Sequence, residues 1–141
     1  METIIKTFEE LTLDELYEIL RLRVAIFVVE QNCAYQDIDG IDKTAHHVWL
    51  QDEDGVAAYV RVYDRDGVHI GRVISARRRK GYGTSALRAG IEVAIKMFHA
   101  KQITIHAQCY AREFYERSGF QQSSGEFLED GIPHIEMTWR A

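Results

Sequence analysis

Arg78, Gly81 and Gly83 stand at i, i+3 and i+5 in "SARRRKGYGTSAL", residues 75–87, where four basic residues run straight into two glycines. A strand-like segment precedes them and helix-forming sequence follows. The first turn of a helix presents backbone N–H groups that have no intrahelical acceptor, and the helix dipole adds partial positive charge there. Glycine lets a ligand approach the backbone closely. The spacing therefore reads as a cradle for an anion such as a pyrophosphate, with Arg77, Arg78, Arg79 and Lys80 adding charge. The competing reading is a solvated turn that stops a strand and starts a helix, and this loop alone leaves both open. Two other phosphate motifs fail. No GxxxxGK[ST] string occurs, and Gly81-Tyr82-Gly83 opens a dinucleotide fingerprint that Ala86 does not complete.

Other chemistry-bearing side chains are dispersed. The six histidines show no HxxxH or HxH pattern, so no metal site is expected. Asp37, Asp39 and Asp42 alternate in "DIDGID", but no Glu follows at the spacing of an EF-hand calcium loop. That segment reads either as a solvated acidic loop or as a rim whose field attracts a cationic substrate. Cys33 lies in the same loop without an adjacent base and reads as an ordinary free thiol.

The totals narrow the function classes. A chain of 141 residues with 46% apolar composition suits one domain, 1–141, with a sizeable core. The formal net charge is −5, which opposes general nucleic-acid binding. The basic run is then a local feature, and a local anionic ligand is its simplest partner. Two distant cysteines suggest a reduced, cytoplasmic protein. No apolar run approaches the roughly 20 residues a membrane helix needs, and "METIIKTFEE" lacks the pattern of a signal peptide.

The elements that must position these residues follow from periodicity. "TIIKTF" reads as a strand. Thr12 with Glu15 forms a capping-box pattern that opens a helix running to about Val29. Residues 31–44 read as a long loop, a feature often functional in compact domains. "HHVWLQ", "VAAYVRVY" and "VHIGRVIS" are strand-like and joined by the turns "DEDG" and "DRDG". His47 and Trp49 share one face of their strand and His46 takes the other, so one histidine of the pair should point away from the core. Leu87, Ile91, Ala94, Ile95 and Phe98 mark a second long helix. "QITIHAQ" is a strand, "AREFYERSG" a short helix ending at Gly119, and "FQQSSGEF" with "PHIEMTW" a closing strand pair. The class is α/β, a mixed domain around one sheet.

Two motifs now combine. Residues 78–83, Arg-Arg-Lys-Gly-Tyr-Gly, resemble the [RQ]-x-x-G-x-[GA] acetyl-CoA signature of the GNAT family of N-acetyltransferases. "QCYAREFYERSGF", residues 108–120, resembles that family's N-x6-Y-x3-GF segment, with Gln108 where Asn is common. The order of strands and helices also matches, so the resemblance covers nearly the whole chain. "FVVEQNCAYQDIDGIDKTAHH" and "EDGIPH" resemble the ElaA-like branch of the family. The resemblance implies an acyl-CoA N-acyltransferase fold, a single mixed, mostly antiparallel sheet flanked by helices. It implies acetyl-CoA as donor, a primary amine of a small molecule or peptide as acceptor, and direct attack in a ternary complex. Homodimers are common on this fold, though no residue here identifies an interface.

The resemblance also assigns roles. The pyrophosphate sits on the N–H groups of residues 79–84, so Arg78, Arg79, Lys80, Gly81, Tyr82, Gly83 and Thr84 bind the cofactor. The backbone of Val73 and Ile74, in a strand splayed from its neighbour, pairs with the pantetheine arm like an added strand. Gln108 keeps an amide for the cofactor on a longer side chain. Tyr115 faces the sulfur as general acid, against the alternative that it is a core aromatic beside Phe114 and Phe120. Glu30, His46, His47 and His134 are candidates for the base that must deprotonate an amine of pKa about 10.4; Glu30 and His134 lead. Two other classes compete with the enzyme: a non-catalytic acyl-CoA-binding regulatory module, and a nucleic-acid contact through residues 77–80.

Overall fold

The computed structural model of the protein describes residues 1–77 and 80–141. Arg78 and Arg79 of the basic loop, both expected to bind the cofactor, lie outside the described residues. The chain begins with strand β1 (Glu2–Thr7) and helix α1 (Leu13–Arg23). Thr12 and Glu15 make the expected capping box, Glu15 N–H donating to Thr12 Oγ1 at 3.1 Å and Thr12 N–H to Glu15 Oε1 at 2.9 Å.

The helix expected to reach about Val29 changes character before its end. Beyond Arg23 it continues as a π-helix over Val24–Glu30, with i→i+5 bonds from Gln31 N–H to Ile26 O and from Cys33 N–H to Val28 O. Widened turns of this kind are frequent at functional sites. Here they keep Ile26 and Glu30 on one face, toward the cavity described below.

Strands β2 (His46–Asp52), β3 (Gly55–Asp64) and β4 (Val68–Ser75) form an antiparallel meander, followed by helix α2 (Tyr82–Phe98) and strand β5 (Gln102–Gln108). A short helix α3 (Arg112–Glu116) leads into β6 (Gln121–Gln122), β7 (Phe127–Glu129) and β8 (Ile132–Arg140). Among the described residues there is one sheet of eight strands, ordered β1-β2-β3-β4-β5-β8-β6, with β7 also on β8. Only β4 and β5 pair in parallel.

The single closing strand expected at "FQQSSGEF" is broken into β6 and β7. Ser124 Oγ accepts from Glu136 N–H at 2.8 Å, and Ser123 Oγ donates to Glu136 Oε1 at 2.9 Å. These hydroxyls compete with a regular ladder. Asp130 and Gly131, both at positive φ, then close a tight β7–β8 hairpin.

Both faces of the sheet are covered. Val48, Val60, Val62, Leu87, Ile91 and Ala94 form part of the core beneath α2, while Ile19, Trp49, Tyr59 and Ile74 pack beneath α1. A sheet buried on both sides leaves neither residue of the histidine pair as the outward one. His46 packs edge-on against Phe98, ring centroids 5.0 Å apart, and His47 is fully buried on the α1 side.

Gly90 lets α2 lie close to β3. A Cβ there would meet Val60 Cγ2 at 2.9 Å and Ile70 Cδ1 at 3.4 Å. Alanine gains about 1 kcal/mol of helix propensity over glycine, whereas overpacking a tight core costs about 1–3 kcal/mol. Gly90→Ala is therefore expected to lower the melting temperature. A raised one would show that Val60 yields without cost.

Candidate active site

The site originates in a fault in β4. Val60 of β3 is opposed by two residues, Arg72 and Val73, because the register slips by one between Tyr59↔Ile74 and Arg61↔Gly71. Arg72 takes φ 51, a conformation side chains rarely adopt. Such a bulge bends and twists its strand. β4 forms a ladder with β5 only at His69↔Thr104, and beyond that pair the two parallel strands diverge. A cavity of about 650 Å³ occupies the gap. The second half of β4, which contributes Val73 and Ile74 to the wall, has no ladder with β5 there.

One part of the cavity borders the start of α2. Gly81 caps that helix in the left-handed conformation, φ 74, and Ser85 N–H is bonded to Gly81 O. Gly83 lines the cavity, and a Cβ on it would stand 3.3 Å from Ser75 Cβ and 3.5 Å from Phe114. The helix thus begins in contact with the end of β4, with its dipole directed at the splayed strands. Lys80 and Gly81 are exposed beside this opening. Arg77 is committed elsewhere, to Asp52 of β2 at 3.1 Å.

Tyr115 projects from α3 into the same space. Its ring meets Phe114 at 5.0 Å and 80° and Phe120 at 6.0 Å and 74°, edge-on in both cases. Burial, with a smaller push from neighbouring Tyr110, raises the phenol above its ordinary pKa, so it holds its proton. The core-aromatic and site readings of this residue are compatible, because the ring packs in the core while the residue lines the cavity. Gln108 also lines the cavity. It pairs with Gln31, each amide facing the other, at 3.2 and 3.4 Å.

The β7–β8 hairpin supplies another wall. His134 is 7% exposed, its Nδ1 lies 2.7 Å from Ile132 O, and its Nε2 lies 3.6 Å from Glu129 Oε2. Glu129 Oε1 is 2.9 Å from His106 Nδ1. Phe127 stacks on His134 and meets His106 edge-on. Glu30 reaches the cavity from the end of the π-helix. His47 does not reach it. Both its ring nitrogens are bonded, to Tyr59 Oη at 2.7 Å and Asp42 O at 2.9 Å, and burial lowers its pKa.

The acidic loop is only partly solvated: Asp39 stays exposed, but Asp37 and Asp42 are turned into the fold, and all three carboxylates are paired. Asp37 and Asp42 are 4% and 5% exposed. Arg23 binds Asp37 at 2.9 Å and Asp42 at 2.7 Å, Arg61 binds Asp39 at 2.7 Å and Asp42 at 2.9 Å, and Arg72 reaches Asp37 at 2.8 Å. Three arginines from α1, β3 and the β4 bulge thus neutralise three aspartates, and the field expected at the rim is cancelled at its source. The loop is pinned to the bulge through Arg72, whose guanidinium also lies over the Tyr35 ring.

The structure brings Val73, Ile74, Gly83, Gln108, Tyr115, Glu30 and His134 to one cavity, with Lys80, Gly81, Tyr82 and Thr84 around the start of α2. His106, Glu129, Gln31 and Arg72 also line it and were not expected. The "DG" at 130–131 is a hairpin signal that places Glu129 near His134; nothing local announces the others. Among the described residues, no group of three or more His, Cys, Asp or Glu is arranged to hold a metal ion, and no helix is long and apolar enough to cross a membrane.

Comparison with known proteins agrees with this geometry. Residues 14–141 match the family model described as an acetyltransferase (GNAT) domain. ElaA of Escherichia coli is 39% identical over 136 residues, covering 91% of this chain and 89% of ElaA. Its crystal structure superposes with a TM-score of 0.93 at 36% identity, over 99% of this chain and 100% of that one. An acyl-CoA N-acyltransferase from Pseudomonas aeruginosa superposes with a TM-score of 0.91 at 34% identity, over 99% of both chains. A splayed parallel pair ending at a glycine-capped helix, on a chain this similar over its whole length, belongs to the GNAT acetyltransferase family, whose members transfer acyl groups.

Proposed function

We propose that this protein moves the acetyl group of acetyl-CoA to a primary amine by direct attack in a ternary complex. The observation that carries the reading is the divergence of β4 from β5 toward the start of α2. The strand edge at Val73 and Ile74, which has no ladder with β5, suits an extended arm bearing amide groups. The unpaired N–H groups of the first turn of α2, with Gly81 and Lys80 beside them, suit a pyrophosphate. Arg78 and Arg79 are proposed to add charge there, as the motif implies. Bound in this way, acetyl-CoA supplies an acetyl group activated as a thioester.

The chain's own residues then handle protons. An amine of pKa about 10.4 arrives mostly as its ammonium form and must lose one proton before it can attack. His134 and Glu30 are the groups proposed to receive it. The nitrogen lone pair forms the N–C bond as the C–S bond breaks. Tyr115 donates its hydroxyl proton toward the departing sulfur and recovers one from the nitrogen that becomes the amide.

Calorimetric titration of acetyl-CoA and CoA tests the reading. Wild-type protein is expected to bind in the micromolar range. Gly81→Glu is expected to abolish binding, because it sets an anion beside the pyrophosphate position. Gly81→Asn should retain binding, since asparagine tolerates the left-handed conformation that Gly81 adopts. Absence of wild-type binding at millimolar acetyl-CoA would sink the proposal.

A further inference from the structure

In the β7–β8 hairpin a ring nitrogen of His134 and a carboxylate oxygen of Glu129 face one another, and with the ring neutral both are hydrogen-bond acceptors. A carbonyl oxygen can only accept, so His134 Nδ1 carries a proton toward Ile132 O at 2.7 Å. In the neutral ring this leaves a lone pair on Nε2. That atom stands 3.6 Å from Glu129 Oε2, beyond hydrogen-bonding distance, in a residue that is 7% exposed. His106 donates to the other carboxylate oxygen at 2.9 Å and so holds Oε2 toward His134. Phe127 packs on both imidazoles and restricts their rotation. A buried imidazole lone pair and a carboxylate converging on one point are complementary to a group with several N–H donors and a positive charge.

The charges around this point narrow the class further. Asp130 adds a carboxylate to the same cavity. Among the described lining residues Arg72 is the one arginine or lysine, and its guanidinium is held by Asp37 and Asp39. An acceptor that carried its own carboxylate beside the amine would meet like charge from Glu129 and Asp130, with no unengaged cation among the described lining residues to offset it.

We propose that Glu129 and His134 form the docking site for the acceptor's ammonium group, and that the acceptor is a primary alkylamine with no carboxylate next to the amine. The inference rests on the acetyl-transfer reading above. The ammonium donates one N–H to Glu129 Oε2 and yields one proton to His134 Nε2. The resulting neutral amine keeps its lone pair for the acetyl carbon, and the imidazolium returns its proton to solvent. His106 touches no substrate and is a positioning residue for Glu129.

The probes are 2-phenylethylamine and phenylalanine, which differ by one carboxylate, with acetyl-CoA as donor. Wild-type protein is expected to favour 2-phenylethylamine by about tenfold or more in kcat/KM. Glu129→Gln should raise KM for that amine by about tenfold or more, the loss expected when a charge-assisted hydrogen bond is removed. Glu129→Asp should recover part of the loss, and His134→Gln should lower kcat more than it raises KM. The calorimetric affinity for acetyl-CoA should be unchanged in all three variants, which shows that they are folded. Normal acetyl-CoA binding with an unchanged KM in Glu129→Gln, equal use of phenylalanine, or turnover of neither probe would overturn the inference and leave the donor assignment standing. Failure of wild-type protein to bind acetyl-CoA would remove both.

Discussion

Tyr115→Phe is expected to lower kcat for acetyl transfer by about 100-fold while leaving the affinity for acetyl-CoA within about a factor of two. Phenylalanine preserves the ring that packs edge-on between Phe114 and Phe120, so the core around α3 loses no volume. What disappears is the hydroxyl, which among the described residues has no hydrogen-bond partner and stands at the cavity wall. A free phenol has a pKa near 10 and a simple thiol near 8.5, so complete transfer to a thiolate is already uphill. Burial raises the phenol further. The hydroxyl therefore works as a proton donor that stabilises charge developing on sulfur and is never deprotonated at rest. An acyl-CoA-binding module without catalysis needs none of this, and in such a protein the substitution would be silent. Stopped-flow measurement of thiol release at saturating amine separates the cases. A kcat within threefold of wild type would return Tyr115 to a purely structural role.

Legibility from sequence divides along the range of the interactions. The capping box at Thr12, the acidic-glycine turns and the apolar face of α2 are local patterns, and each forms where it was expected. Gly81 and Gly83 were readable as a tight helix entry, because only backbone freedom and close packing explain glycine at both positions. The bulge in β4 was not readable: "GRVIS" gives no local reason for Arg72 to adopt a positive φ, and the partner its guanidinium meets there, Asp37, lies thirty-five residues earlier. The π-helix is likewise invisible to a period-of-3.6 search, which simply extends α1. The acidic loop was misread because its partners, Arg23, Arg61 and Arg72, come from three different elements. Charge alternation on a short segment looks solvated until the opposing charges are known. His106 and Glu129 were missed for the same reason, since their pairing spans β8.

Arg23→Met is expected to destabilise the protein by about 3–5 kcal/mol, lowering its melting temperature by roughly 10 °C. Arg23 is fully buried and holds Asp37 at 2.9 Å, Asp42 at 2.7 Å and the Asp37 carbonyl at 3.0 Å. Methionine fills part of the space but leaves both buried carboxylates short of a cation. Covering the loss would need the network to rearrange, since Asp42 Oδ2 finds no hydrogen-bond partner among the described residues even though the Nε donors of Arg61 and Arg72 also lack one. The same groups set the acid limit of the fold. Burial pushes Asp39 and Asp42 up, but Arg61 on Asp39, and Arg23 with Arg61 on Asp42, outweigh it. Asp42 ends below its ordinary value and Asp39 at about 2. A carboxylate depressed in the folded state adds stability that is complete above its unfolded pKa of about 3.9 and is lost as pH falls through the folded value. Wild-type stability should therefore decline from about pH 4 toward pH 2, whereas in Arg23→Met, where Asp42 loses the charge that holds its pKa down, the decline should be smaller and the deficit relative to wild type should narrow as pH falls. The loop freed by the substitution carries Gln31, Cys33 and Tyr35 into the cavity wall, so KM for the amine should rise more than the affinity for acetyl-CoA falls. Denaturant titration from pH 2 to 7 checks the first effect. A loss below about 1 kcal/mol would mean that the arginine adds nothing beyond the cost of its own burial, and the loop would then owe its position to Arg61 and Arg72.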